Sequence, residues 1–290
     1  MSARRLRSML FAAASNERHM EKALAADADA VIFDLEDAVA VSEKPAARGT
    51  AARWAAAPRT GGLYVRINGL QTPFAFDDCA AVAIAGVDGL VLPKAESAQE
   101  IRTIDWLLLQ HERQRGLADR HIELLPILET AAGIDRVSEI AAASPRVRCL
   151  MFGAGDLSTD LGVPWATENP ALLHARTLVS LASHAHGLDK PVDTAYVRLE
   201  EDDGFRAEAR IAKDLGYQGK ACIHPRQVAL AHELFTPSAE EIAEARKIWE
   251  AFTASEQAGT AGIVVDGRFV DYPVAVRARR LLDLDGTETA

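Results

Sequence analysis

Eight short apolar, β-branched runs recur along the chain with helix-like segments between them, and this alternation limits the available folds more than any other feature. The runs are Arg7 to Ala12, Ala30 to Asp37, Leu63 to Asn68, Gly89 to Lys94, Leu124 to Glu129, Cys149 to Asp156, Pro191 to Arg198 and Lys220 to His224. Helical patterning falls at roughly Asn16 to Ala26, Glu43 to Ala56, Asp77 to Ala85, Ala98 to Arg115, Ile134 to Ala143, Pro170 to His186, Phe205 to Leu215 and Pro225 to Leu234. Such alternation marks parallel βαβ units rather than hairpins. Eight strands with a helix for each close most economically into a (β/α)₈ TIM barrel, here expected over residues 1–236. Residues 237–290 are surplus to a barrel. They read as an extra C-terminal helix, Ser238 to Gln257, then a hairpin-like segment turning at Asp266-Gly267 and a short helix, Val274 to Leu282. Such a tail buries little alone, so it is expected to act as a lid over its own barrel mouth or a neighbouring subunit's.

In a (β/α)₈ barrel the chemistry sits where strands end. The expected strand ends carry Asp34, Glu36 and Asp37, then Arg66 and Asn68, Lys94, Glu129, Asp156, Asp193 and His224. Any one could be a cap or a satisfied buried polar group. Glu129 and Asp156 stand out because they end successive apolar runs separated by one helical segment. Parallel neighbouring strands place such ends side by side at one edge. Two carboxylates there repel, so either one holds a proton or a cation lies between them. A hard divalent ion such as Mg²⁺ suits the pair, with waters and substrate oxygens completing its octahedron. The competing explanation is a pair of helix caps or surface acids.

Among the 290 residues, 49% are hydrophobic and 26% charged, as in a water-soluble globular protein, and no run is long enough for a membrane span. A cytoplasmic location is the default expectation, since Met1 to Arg7 lacks the apolar stretch of a signal peptide. A net charge of −10 argues against a nucleic-acid surface. Basic residues do gather near the start, at Arg4, Arg5, Arg7, Arg18 and Lys22, as either an anion contact or a solvated face. Cys79, Cys149 and Cys222 lack metal-finger spacing and are expected to be reduced packing residues.

Several motifs occur in order: Asp-Leu-Glu-Asp-Ala-Val (Asp34 to Val39) with Lys44 downstream, Val-Arg-Ile-Asn-Gly (Val65 to Gly69), Val-Leu-Pro-Lys (Val91 to Lys94), Leu-Glu-Thr-Ala (Leu128 to Ala131), Phe-Gly-Ala-Gly-Asp-Leu (Phe152 to Leu157) and Ile-His-Pro (Ile223 to Pro225). Together they resemble the HpcH/HpaI aldolase and citrate lyase family, on the branch of citrate lyase beta-subunit-like proteins and malyl-CoA and citramalyl-CoA lyases. The resemblance implies a (β/α)₈ barrel, Mg²⁺ on Glu129 and Asp156, and Arg66 facing the substrate carboxylate and thioester oxygen. It also implies support from Asp34, Glu36 and Asp37, chiefly Glu36, and substrate contacts from Lys44, Asp37 and Asn68. A lid aspartate, matching Asp271, would act at the active site of an adjacent subunit in a homotrimer or hexamer. One motif departs, because Ala13-Ala14 stands where members usually have Pro-Gly in the first strand-to-helix turn, a place that contacts coenzyme A.

The activity so implied is Mg²⁺-dependent cleavage of a carboxylated 3-hydroxyacyl-CoA, with Arg66, Glu36 and Asp271 in catalytic roles. An acyl-CoA thioesterase or a citryl-thioester lyase on the same fold is the alternative, and a non-catalytic scaffold is a third. Pocket size is expected to depend on residues such as Phe11, Leu70, Met151 and Pro164.

Overall fold

A computed structural model of the chain describes residues 5–285, with side chains through Asp283, so Arg4 lies outside the described residues. Eight parallel strands close on themselves: β1 (Ser8–Ala13), β2 (Ala30–Asp34), β3 (Gly62–Arg66), β4 (Gly89–Leu92), β5 (Glu123–Leu128), β6 (Met151–Phe152), β7 (Val192–Asp193) and β8 (Gly219–Cys222). Each pairs with its sequence neighbour, and β8 returns to β1 with Ser8 opposite Lys220. The protein is a (β/α)₈ TIM barrel.

Side-chain alternation along these strands makes two separate apolar layers. Met9, Ile32, Tyr64, Val91, Leu125, Met151 and Val192 fill the interior, whereas Val31, Phe33, Val65, Leu90 and Leu92 face the surrounding helices. Each such large side chain, once buried, contributes about 1.5–3 kcal/mol. The same parity aims Asp34 and Arg66, partners in the β2–β3 register, into the upper interior.

Strand lengths differ from the expectation. The sixth run, expected to reach Asp156, is a strand only at Met151–Phe152, and Asp156 falls in the first turn of a helix, Ala154–Leu161. The physical reason is Gly153-Ala154-Gly155, where the chain turns sharply before any β-branched residue can prolong the strand. The helical segment at Ile134 to Ala143 is likewise two short helices, Ala131–Asp135 and Val137–Ala141, parted at Arg136. The seventh run is a strand only at Val192–Asp193.

Asp193 is not a rim residue facing the interior. Because Val192 points inward, Asp193 points out, into a buried ion cluster with Arg176 (2.8 Å), Lys220 (2.8 Å) and, through Lys220, Glu208 (2.6 Å). Burial opposes its ionisation, but Lys220 and Arg176 hold its carboxyl below the usual range. The three cysteines are free and buried, as packing residues. Among the described residues no helix is long and apolar enough to cross a membrane.

A second compact unit begins at Thr236. Its long helix, Ala239–Gln257, opens with a capping box between Ser238 and Glu241. Ala245 of that helix packs with Ala278 and Leu282 of a second helix, Tyr272–Asp285. Between them β9 (Ile263–Val265) and β10 (Arg268–Val270) form a hairpin. Asp266 and Gly267 at its tip both have positive φ (48° and 78°), as a tight two-residue turn requires.

Lys220 holds two acids, Asp193 and Glu208, that also face Arg176. Replacing it as Lys220→Met is expected to destabilise the fold by about 3 kcal/mol, the cost of stripping one partner from a buried ion cluster. Urea unfolding of the two proteins measures this, and equal midpoints would show that the cluster is energetically idle.

Candidate active site

The carboxyl ends of the strands enclose a cavity of about 730 Å³ whose walls include Asp34, Arg66, Glu129, Asp156, Phe11 and Trp165. Arg66 ends β3, and its guanidinium is fixed on several sides. Nε and Nη2 donate to Asp34 Oδ1 (2.7 Å) and Oδ2 (2.6 Å), and Nη1 lies 3.0 Å from Glu36 Oε2. Its Cζ lies over the Phe11 ring, 5.0 Å from the centroid. Burial works against the Arg66 charge, yet Asp34, Glu36 and Glu129 keep its pKa raised. The result is a permanent cation with a fixed orientation at the cavity wall.

Asp34 is itself over-determined. Its oxygens also accept the backbone amides of Glu36 (2.9 Å) and Ala38 (3.2 Å), curling the chain after β2 into a tight acidic turn. Burial would raise its pKa, but Arg66 and those amides outweigh burial and hold it below the usual carboxylate range. Glu36 differs: burial dominates and raises its pKa despite Arg66 and Lys94. Asp37 is exposed at the rim.

Lys44 and Asn68 depart from the expectation that they contact substrate. Lys44 is buried, and its ammonium donates to Leu35 O (2.9 Å), Glu36 O (2.8 Å) and Asn68 Oδ1 (2.6 Å), which uses all three protons. Asn68 is equally consumed, since its amide Nδ2 donates to Leu35 O (3.0 Å) and to Asp78 Oδ2 (2.6 Å). These two side chains clamp the acidic turn from behind. Asp78, unnoticed in the sequence, anchors the clamp and is held in turn by Arg48 at 2.8 Å.

Glu129 follows β5 and is buried, whereas Asp156 is partly open to the cavity. Glu129 Oε1 accepts the backbone amide of Lys94 (2.9 Å). A Cβ on Gly153 would lie 2.5 Å from Glu129 Oε2, so only glycine lets the turn carrying Asp156 pass so close. Burial first, and the Asp156 charge second, push the Glu129 carboxyl up to about 8. A carboxylate so displaced gains most from a cation placed beside it. Among the described residues no group of three or more His, Cys, Asp or Glu side chains gathers as metal ligands. The protein therefore offers a hard-oxygen pair, a donor set that fits Mg²⁺, which is commonly held by one or two carboxylates with water and substrate oxygens.

Lys94, given no role of its own as a strand-end and motif residue in the sequence, proves central to the electrostatics. Its ammonium lies 2.8 Å from Glu36 Oε1, 3.6 Å from Asp37 Oδ2 and 3.7 Å from Asp156 Oδ1. Phe11 and Met151 line the cavity as expected, but Leu70 and Pro164 do not, and Trp165, beside Pro164, does. A Cβ on Gly155 would lie 3.0 Å from the Trp165 ring. His224 and Lys22 line an adjoining cavity of about 380 Å³, together with Ala13 and His19. Asp271 belongs to the second unit, where its Oδ1 faces the amide of Val274 at 3.4 Å at the start of helix Tyr272–Asp285.

Residues 7–225 match the HpcH/HpaI aldolase/citrate lyase family. The chain belongs to that family of carbon–carbon lyases. It is 38% identical over 291 residues to an L-malyl-CoA/beta-methylmalyl-CoA lyase of Rhodobacter capsulatus, covering 93% of this chain and 91% of that one. It is also 37% identical over 278 residues to a (3S)-malyl-CoA thioesterase of Cereibacter sphaeroides, covering 95% and 93%. Among solved structures it resembles the CitE protein of Mycobacterium tuberculosis, crystallised with magnesium, acetoacetate and coenzyme A, at 31% identity and a TM-score of 0.77 over 96% and 97% of the two chains.

The displaced Glu129 carboxyl sets a pH signature. Since its folded pKa, about 8, exceeds the ordinary 4.5, the folded state binds the extra proton between those values and stability falls as pH rises through them. In chelator, Glu129→Gln is expected to melt higher than wild type at pH 8, with the gap closing towards pH 4.5. Thermal unfolding across that range checks it, and parallel curves would mean that Glu129 titrates normally.

Proposed function

We propose that this protein is a Mg²⁺-dependent carbon–carbon lyase that splits a carboxylated 3-hydroxyacyl-CoA, of the malyl-CoA or citramalyl-CoA type, into acetyl-CoA and a 2-oxo acid. The observation that carries this reading is one cavity lined by a fixed guanidinium, Arg66, and by two carboxylates, the buried Glu129 and the partly open Asp156. The pair would hold Mg²⁺, which when bound supplies Lewis-acid polarisation of the hydroxyl and carboxylate oxygens of the departing 2-oxo acid.

The rest of the chemistry falls to the chain's own groups. The substrate hydroxyl gives up its proton to solvent as its oxygen becomes the carbonyl of the 2-oxo acid, and the electron pair of the breaking carbon–carbon bond moves onto the thioester as an enolate. Arg66, anchored by Asp34 and Glu36, stabilises that oxygen with its remaining protons, and its fixed orientation means little reorganisation at the moment of reaction. Glu36 acts by holding Arg66, and Lys44 and Asn68 by holding the turn that carries Glu36. Phe11, Ile127 and Trp165 shield the reacting carbons from water. The adjoining basic cavity, with His19, Lys22 and His224, suits the polar length of an acyl carrier.

The enolate carbon must then receive a proton, and we assign this to Asp271 on the lid of a neighbouring subunit in a homotrimer or hexamer. An Asp271→Ala protein and an Arg66→Ala protein, each at least about a hundredfold impaired alone, are expected to regain activity after their subunits are mixed and exchange. Exchange without recovered activity would leave Asp271 as the N-cap of its own helix.

The similarity to a malyl-CoA thioesterase at nearly the same identity as to a lyase supports a second reading, hydrolysis in the same cavity. Product analysis separates the two. With malyl-CoA and Mg²⁺, the lyase is expected to yield acetyl-CoA and glyoxylate, and Arg66→Lys, which keeps charge but loses the planar fork, to be at least about tenfold slower. Free thiol and malate without glyoxylate would establish the hydrolase.

A further inference from the structure

We propose that Lys94 is a positioning residue for this site: it ties the acidic turn after β2 to Asp156 and, as a fixed positive charge among the carboxylates, weakens the site's affinity for its own divalent cation. This rests on the reading that Glu129 and Asp156 hold Mg²⁺.

Two independent observations support it. The first is the backbone. Lys94 follows Pro93 at the end of β4 with φ of 47°, a left-handed conformation that side-chain-bearing residues adopt rarely and at a cost. That conformation accompanies two contacts made by one residue to different walls of the site. The amide nitrogen donates to Glu129 Oε1 at 2.9 Å, while the ammonium reaches back to Glu36 Oε1 at 2.8 Å. A glycine would accept the backbone without strain but would supply no ammonium.

The second is the charge balance. Among the described residues five acids, Asp34, Glu36, Asp37, Glu129 and Asp156, gather in or beside the cavity wall with the side chains of two cations, Arg66 and Lys94. Arg66 is engaged at Asp34 and Glu36. Among the described residues Lys94 is the cation within 4 Å of Asp156, at 3.7 Å, and it also meets Glu36 and Asp37. Its ammonium therefore lowers the negative potential that draws a divalent ion to Asp156 and Glu129. The same charge holds Glu36 beside Arg66, whose Nη1 lies 3.0 Å from Glu36 Oε2. Removing it should strengthen metal binding while loosening the group that orients Arg66, so affinity for Mg²⁺ and turnover move in opposite directions. A residue that merely held the fold together would lower both.

The test is calorimetric titration of Mg²⁺ into the full-length wild type, Lys94→Met and Lys94→Arg, with thermal unfolding and turnover at saturating Mg²⁺ on the same samples. Lys94→Met is expected to bind Mg²⁺ about tenfold tighter, equivalent to about 1.4 kcal/mol, and to turn over at least about tenfold more slowly. Lys94→Arg, which keeps the charge, is expected to retain the wild-type Mg²⁺ affinity. Should Lys94→Met fail to fold, Lys94→Gln removes the charge while keeping a donor for Glu36, and the same affinity comparison applies. Equal or weaker Mg²⁺ binding by the uncharged variant overturns the role given to Lys94. Absence of Mg²⁺ binding by the wild type is a different failure, visible before any variant is made, and removes the metal assignment itself.

Discussion

Carboxylate crowding at one rim of the barrel governs how the surrounding structure is built. Asp34, Glu36, Asp37, Glu129 and Asp156 approach one another because parallel strands of a closed barrel must end at the same edge. Left alone, these charges would repel and drive the rim open or draw protons from solvent. Arg66 and Lys94 answer them from within the barrel, and their pKa values are raised because the acids outweigh the burial that opposes them. Glu129 receives the least compensation. It is buried beside a like charge, and so its carboxyl is pushed up to about 8.

Support for this arrangement extends well behind the cavity wall. The acidic turn after β2 is pinned from the front by Arg66 and from behind by Lys44, whose ammonium spends every proton on Leu35, Glu36 and Asn68. Asn68 passes that constraint to Asp78, and Asp78 to Arg48 on the helix Lys44–Trp54. A chain of satisfied buried polar groups costs less than a half-satisfied one and permits a single geometry. Rigidity of this kind lets a cation at a cavity wall stabilise developing negative charge without first having to move. The outward-facing cluster of Asp193, Lys220, Arg176 and Glu208 also pairs its buried charges, though Arg176 Nη1 and Nη2 make no hydrogen bond there.

The second unit follows a different logic. Its hairpin and two helices share small apolar clusters around Ala245, Ala278, Phe252 and Val270, while Val264, Phe269 and Tyr272 remain exposed. Asp271 begins a helix there, so the same carboxylate that the lid reading makes a proton donor also serves as a local cap.

The barrel was legible in the chain because strand and helix periodicities are local and repeat eight times, and closure is the economical way to pair every edge. Arg66, Glu129, Asp34 and Glu36 could be named because each stands at or just after the end of an apolar run. Asp156 could be named too, but not its setting, because a two-residue strand followed by a helix has no periodic signature of its own. Tertiary structure alone decided which polar residues line the cavity. Lys44 and Asn68 have residue types suited to binding, yet their donors are satisfied by groups as far apart in sequence as Leu35 and Asp78. Asp193 turned outward because register with Lys220 and inward packing of Val192 left it no other face. The role of Lys94 was equally invisible, since its three carboxylate partners come from two different segments and meet only when the barrel closes. Residue type and periodicity are properties of short windows of chain, whereas the partner of a buried charge depends on which distant segment folds against it.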